Sequence, residues 1–346
     1  MPSKGIYIYG IVPNFYSAEI FRSLENSGIY AISSEHISAI VSDRSSTILD
    51  YTDRESLGHL LVHHQKTVED LTDKGFSMLL PMRLGTIVKS KNEVLQILDR
   101  GNNLIMESLK KIQSLSEIDL AVTWADFSNN LKEIANLPEI VELKQDILMN
   151  PDKIAQVDQV KLGMLVQRKL EEKNKQVELE VLNALSSLSV DIKVHEAMND
   201  QMVTNSAFLI HRVSKEKFDS AIDRLDEQFN GLLNFKIVGP LPCYSFYTLE
   251  VAEINPDHIT EAQTALGLSK ETTDDEIKKA FLDKAKFFHP DNGQGTSDSD
   301  NFKSVQKAYR VLRDYSQAFK QSSGDERISL AREKIMENMI LVKIKE

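Results

Sequence analysis

Ile259-Thr260-Glu261-Ala262-Gln263-Thr264-Ala265-Leu266-Gly267-Leu268 is followed by Thr273-Asp274-Asp275-Glu276-Ile277-Lys278-Lys279-Ala280-Phe281, and then by Phe287-Phe288-His289-Pro290-Asp291. Thr273 can cap a helix, and the three acidic residues behind it sit where the helix dipole favours negative charge. Ile277, Phe281, Ala285 and Phe288 recur at spacings of four, four and three and so share one helical face. Phe302, Val305, Tyr309 and Leu312, spaced three, four and three, supply the opposing face. Lys278, Lys279, Lys284 and Lys286 fall mainly on the other side of their helix and make a basic surface on an acidic chain. Pro290 stops that helix, and Gly293, Gly295, Thr296 and Ser297 predict a loop before the next. The reading is an all-α module over residues 257–321.

Outward from this module, Asn255-Pro256-Asp257 predicts an extended linker on its upstream side. On the downstream side, Ile328, Ala331, Ile335, Met339 and Val342 form one narrow stripe, which predicts a charged helix over residues 325–343 of a 325–346 tail. A second small α+β domain is expected at 187–254, with strands at 189–194, 206–213, 235–239 and 245–251. Its helix, 215–229, buries Phe218, Ile222, Leu225 and Phe229. Residues 126–186 read as a helical connecting segment. There Val166, Leu170, Val177, Val181, Leu185 and Leu188 keep near-heptad spacing interrupted at Lys173. That favours a helix packed on its own protein over a partner-binding coiled coil.

The N-terminal domain, 1–125, opens with a β-branched and aromatic strand at 4–12, a helix at 16–25 and strands at 28–33 and 36–42. A helix at 53–73 carries Leu57, Leu60, Leu61, His64, Val68 and Leu71 in one stripe, and strand candidates follow at 76–80 and 85–88. The order β-α-β-β-α-β predicts a ferredoxin-like domain. A helix at 90–113 and a strand at 119–125 complete it, so the fold class is α+β with an all-α C-terminal module.

At 346 residues the chain is too long for one core, and two or three domains are expected. With 41% hydrophobic and 27% charged residues it has the composition of an ordinary soluble protein. Forty-one basic residues against 52 acidic ones, a net charge of -11, argue against nucleic acid as a partner. The single cysteine, Cys243, excludes an internal disulfide and any Cys-pair zinc or iron-sulfur site. No stretch approaches the roughly 18 to 20 apolar residues that span a bilayer, and no leader pattern opens the chain, so a cytoplasmic location without membrane contact is expected. His59, His63 and His64 share a helix, but Leu60 stands where a zincin pattern needs glutamate. Asp298-Ser299-Asp300-Asn301 begins like a calcium loop but lacks its glycine and closing glutamate. With no phosphate loop and no nucleophile elbow either, no metal, cofactor or catalytic residue is expected.

The blocks at 258–315, from Leu266-Gly267-Leu268 through Ile277-Lys278-Lys279-Ala280-Phe281 and His289-Pro290-Asp291 to Gln306-Lys307-Ala308-Tyr309-Arg310-Val311-Leu312, together resemble a J domain. The resemblance implies that His289, Pro290 and Asp291, supported by Lys278, Lys279 and Lys286, dock on a DnaK-type chaperone and stimulate its ATP hydrolysis. The glycine-phenylalanine segment and zinc-binding cysteines of general co-chaperones are missing, which suits a dedicated client-binding body.

That body carries Tyr9-Gly10-Ile11-Val12, Ile37-Ser38-Ala39-Ile40-Val41-Ser42, His63-His64-Gln65-Lys66-Thr67-Val68-Glu69, Leu79-Leu80-Pro81-Met82-Arg83-Leu84-Gly85-Thr86 and Gly239-Pro240-Leu241-Pro242-Cys243-Tyr244-Ser245-Phe246. Over about residues 4–252 it resembles the gas-vesicle GvpL/GvpF proteins, with departures at Leu84 and Cys243. The resemblance implies an assembly accessory without enzymatic activity, associated with gas vesicles in the cytoplasm. Its implied contacts are the hydrophobic shell protein GvpA and other gas-vesicle proteins. Arg83, bracketed by Pro81 and Gly85, reads first as the partner of a buried carboxylate and second as a shell-protein contact. Tyr244 and Phe246 read first as core and second as lining an interaction groove, and Gly239–Pro242 as a rigid turn. The expected function is vesicle assembly with chaperone recruitment. The alternatives are a J-domain co-chaperone for an unrelated client and a structural vesicle protein with a vestigial J domain.

Overall fold

The computed structural model describes residues 5–16, 21, 28–44, 54–149, 156–288, 296–323, 325–337 and 340–345. They divide into two units, Met1–Gln113 with Tyr247–Glu346, and Ser114–Phe246. No described helix is long and apolar enough to cross a membrane.

The first unit begins with β1 (Gly5–Pro13), β2 (Ile29–Ser34), β3 (Ile37–Arg44), α1 (Arg54–Asp73), β4 (Leu80–Pro81), β5 (Ile87–Val88), α2 (Lys91–Arg100) and α3 (Asn102–Ile112). The sheet is antiparallel in the order β2-β3-β1-β4, with β5 also paired to β1. Nearly every residue of β1 is buried, as expected of a strand covered on both faces. Of the helix expected at 16–25, nearly all lies outside the described residues. Along α1 the stripe is narrower than the spacing suggests: Leu60, His64, Val68 and Leu71 are buried, whereas Leu61 is half exposed. The one helix expected at 90–113 is two, divided at Gly101. A Cβ there would lie 2.9 Å from the Ile97 carbonyl oxygen and 3.0 Å from Val342 Cγ1, so the backbone approaches its neighbours too closely for a side chain.

The second unit runs β6 (Leu115–Trp124), α4 (Phe127–Ala135), α5 (Pro138–Met149), α6 (Gln156–Ser186), β7 (Asp191–His195), β8 (Met202–His211), α7 (Lys215–Phe229) and β9 (Leu233–Leu241). Its antiparallel sheet is ordered β7-β8-β6-β9. Ile118, Leu120, Val122 and Trp124 alternate onto one face of β6 and form a core with Val177, Val181 and Leu185 of α6 and Phe218, Ile222 and Leu225 of α7. The near-heptad stripe of α6 therefore packs on its own protein, Leu170 adding a small cluster with Ile134 and Ile140. Lys173, the polar interruption, lies 4.9 Å above the Trp124 ring and donates to Glu133 at 2.9 Å. The domain limits at 125 and 187 are corrected: the strand assigned to the N-terminal domain is central in the second sheet. Its allegiance depends on partners far along the chain, which local pattern does not carry.

The chain then returns to the first unit as β10 (Thr248–Glu253), α8 (Pro256–Leu266), β11 (Glu271–Thr272), α9 (Asp274–Phe287), α10 (Thr296–Ser323), β12 (Ile328–Ser329), α11 (Arg332–Glu337) and β13 (Ile340–Lys345). The strand expected at 245–251 thus lies in the first unit, where it pairs with β13 in a two-stranded sheet and is joined to Met82, just after β4, by an isolated bridge at Leu249. The expected linker at 255–257 is a helix start: Asn255 caps α8, and Pro256 fills its first turn, where no amide donor is needed. The expected C-terminal helix is also corrected, since among the described residues of that stretch only Arg332–Glu337 is helical and Ile340–Lys345 is a strand. Ile340, Val342 and Ile344 alternate at period two, and β10 offers that run an edge to pair with.

Candidate chaperone-docking face

α9 is built by its first turn. The Thr273 hydroxyl accepts the Glu276 amide at 3.3 Å, and the Glu276 carboxylate accepts the Thr273 amide at 3.0 Å, a reciprocal capping box. Asp274 holds this end against α10, pairing with Lys320 at 2.6 Å and accepting the Ser316 hydroxyl. Burial raises the Asp274 carboxyl, but these two donors outweigh it and leave the group below the ordinary aspartate range. Ile277 sits in a core with Ile259, Leu266, Val305 and Leu312, and the Phe281 ring stacks on Tyr309 at 4.3 Å. Gly267 closes α8 with φ +71, a conformation that favours glycine.

These contacts turn one face of α9 outward. Lys278, Lys279 and Lys286 are all exposed, as the spacing predicts, together with Leu282, Asp283 and Phe287. Lys278, Leu282 and Lys286 are four apart and make one stripe, cation, aliphatic, cation, that runs toward the C-terminal end of the helix. Lys284 does not belong to it: its ammonium donates to the Ala265 carbonyl at 2.7 Å and fastens α9 to α8. Leu282 and Phe287, 54% and 75% exposed, were missed from sequence; their positions on the lysine side were the available signal. His289, Pro290 and Asp291 lie outside the described residues.

The other candidate contacts are divided between the two units. Arg83, in the first unit, lies 3.8 Å from the Glu250 carboxylate, the partner its setting predicts. Tyr244 and Phe246 belong to the second unit. There Phe246 is buried, with Lys193 Nζ 5.4 Å from its ring centre, and Tyr244 is half-buried. Beside them the Glu117 carboxylate accepts the Ser245 amide and hydroxyl, each at 2.8 Å. Burial, reinforced by neighbouring Asp119, pushes the Glu117 carboxyl up to about 8 against the pull of the Ser245 hydrogen bonds. Burial also pushes the Cys243 thiol up to about 12, so that sulfur is a poor nucleophile. The three histidines of α1 are divided: His59 and His63 face solvent, and buried His64 accepts or shares a 2.7 Å hydrogen bond with the Tyr7 hydroxyl at Nδ1.

A family model described as gas vesicle synthesis protein GvpL/GvpF matches residues 5–248, and one described as DnaJ domain matches residues 263–318. Gas vesicle protein F of Dolichospermum flosaquae is 24% identical over 257 residues, covering 71% of this chain and 98% of that protein. Chaperone protein DnaJ of Clostridium novyi (strain NT) is 50% identical over 50 residues, 14% of this chain and 13% of the relative. The crystal structure of the gas vesicle protein GvpF from Anabaena sp. PCC7120 shares the fold, with a TM-score of 0.58 at 22% identity, over 70% of this chain and 98% of that one.

Proposed function

The chain belongs to the GvpL/GvpF family of gas vesicle synthesis proteins and carries a DnaJ domain, and from that premise we propose that it is a gas-vesicle assembly factor that recruits a DnaK-type chaperone. The body binds the hydrophobic shell protein. The α9 face, together with His289, Pro290 and Asp291 that follow it in the sequence, engages the chaperone and stimulates its ATP hydrolysis. The observation that carries this reading is the exposed Lys278-Leu282-Lys286 stripe on a helix that is capped at its N-terminus and packed on its other face. A bundle needing only to fold would have no use for a one-sided row of cations on a chain of net charge -11. The fusion also has a physical logic: a subunit that polymerises through apolar faces and strand edges is an aggregation hazard until it assembles. An adaptor that holds such a client and brings an ATP-driven chaperone to it manages that hazard. No catalytic residue is assigned.

Reversing two of the cations tests the docking face. Lys278→Glu with Lys279→Glu is expected to raise the chaperone concentration needed for half-maximal stimulation at least about tenfold, equivalent to ~1.4 kcal/mol. The melting temperature should hold, because both side chains are exposed. Unchanged stimulation would remove α9 from the contact. The client half is tested by co-purification of the shell protein with the intact chain, and failure to capture it under assembly conditions would defeat that half.

A further inference from the structure

The block 239–246, singled out in the sequence, ends the second unit, and its last residues form a turn held down on a pair of carboxyl groups. Glu117 and Asp119 stand two apart on one face of β6, and Glu117 is 1% exposed. Both Glu117 oxygens are covered by one residue of the turn, Oε2 accepting the Ser245 amide and Oε1 the Ser245 hydroxyl. Asp119 is hydrogen-bonded to Glu117 side chain to side chain, and two carboxyl groups in that relation hold one proton between them. The buried Oδ1 of Asp119 has no donor partner. Around the pair, Lys193 Nζ donates to the Ser245 carbonyl at 2.8 Å, His195 Nε2 lies 3.3 Å from the Ser245 hydroxyl and faces Asp119, and Arg212 faces the Cys243 thiol. Asp191 of β7 and Lys236 of β9 are exposed charges on the same face of the sheet. Within the turn, Cys243 and Phe246 are buried.

We propose that Glu117 and Asp119 form a proton-operated latch: with the shared proton in place they hold the turn 242–246 on the sheet, and loss of that proton releases the turn and brings Cys243 and Phe246 to solvent. Protonated Glu117 donates to Asp119 while still accepting both Ser245 donors, so the pair is satisfied. Without the proton, two like charges lie side by side where water does not reach, and their repulsion is far larger than in solution. Lifting the turn is the smallest movement that hydrates Glu117, because the Ser245 amide and hydroxyl are the groups that cover its oxygens. Burial holds the Glu117 carboxyl at about 8 in the closed form, against 4.5 in water. The closed form therefore keeps a proton that the open form gives up, and opening becomes easier as pH rises between those values, by up to about tenfold per pH unit. The latch belongs to the second unit and its test involves no chaperone, so its failure leaves chaperone recruitment standing.

Cys243 is the single cysteine, so its thiol reports the latch without labelling elsewhere. The probe is N-ethylmaleimide, and the labelling rate of the intact chain is divided by that of the denatured chain at the same pH, which removes the ionisation of the thiol itself. This ratio should rise at least about tenfold between about pH 5.5 and 8. Glu117→Gln keeps the shape and hydrogen bonds of the protonated group and should stay slow at both ends of the range. Ser245→Ala removes one of the two donors and should label faster than the unaltered chain at the acid end, with the β6 amides as protected as before. In the unaltered chain the Ser245 amide should open together with the thiol and ahead of the β6 amides. A ratio that does not change with pH, or that changes equally in Glu117→Gln, overturns the latch. Opening of the β6 amides in step with the thiol also overturns it, by assigning the exposure to unfolding of the whole unit. If Glu117→Gln does not fold, Ser245→Ala decides, and labelling no faster than in the unaltered chain contradicts the proposal.

Discussion

Ile335→Ala is expected to destabilise the helical bundle by about 3 kcal/mol, although residue 335 lies beyond the end of the DnaJ match at 318. Ile335 and Ile328 are fully buried and Leu330 nearly so, in one core with Ile259, Leu266, Leu312 and Tyr315. The segment that carries them is tied down along its length. The Leu330 amide donates to the Lys270 carbonyl at 2.7 Å, the Tyr315 hydroxyl to the Ser329 carbonyl at 3.2 Å, and Arg332 pairs with Asp257 at 2.6 Å. Deleting the side chain removes its transfer free energy and leaves a cavity among helices fixed by other contacts. Ile335→Val, which keeps most of the volume, should cost about 1 kcal/mol. Denaturant unfolding with amide exchange in α8 and α10 measures both. If Ile335→Ala leaves those amides as protected as before, the segment is no part of the bundle's core.

Opposite pH dependence in the two units is the second large effect. In the first unit, burial and the adjacent His63 lower the His64 imidazole from 6.5 to about 4. Between those values the unfolded chain binds the extra proton, so stability is lost as pH falls from 6.5 toward 4, by a few kcal/mol in all. In the second unit, Glu117 is raised from 4.5 to about 8, so the folded state holds the extra proton across that range. Stability there falls as pH rises from 4.5 toward 8, again by a few kcal/mol. Asp119 is raised in the same direction by its own burial. Exchange of β1 and β6 amides across pH 4 to 8 reads the two separately. Glu117→Gln should flatten the β6 profile and His64→Gln the β1 profile. Slopes of the same sign in both strands would contradict the assignment.

Chemistry expressed within a few residues was legible in the sequence. The Thr273 cap, the acidic first turn and the Ile277-Phe281 face form an element whose signals are all local, and α9 appears as expected. The same holds for α7 and for the exposure of Lys278, Lys279 and Lys286. What was lost depends on distant partners. Leu115–Trp124 belongs to the second sheet because of the α6 and α7 side chains it meets, and none of these is near it in sequence. Ile335 and Val342 fit one helical stripe on paper, yet one enters the bundle core and the other lines a strand, because β10 presents an edge that propensity does not know about. Arg83 shows the intermediate case: its bracketing by Pro81 and Gly85 indicated a carboxylate partner, while only the fold identifies Glu250. Lys284 belongs by spacing with the basic face, but the Ala265 carbonyl within its reach takes it out of that face.

The most direct measurement is single-turnover ATP hydrolysis by a DnaK-type chaperone from the same source, with the intact chain and with His289→Gln. The account predicts stimulation by the intact chain and a return to the unstimulated rate with the variant, while amide exchange in α8, α9 and α10 stays the same. Equal stimulation by both, or none by either with the bundle folded, would contradict chaperone recruitment through this face.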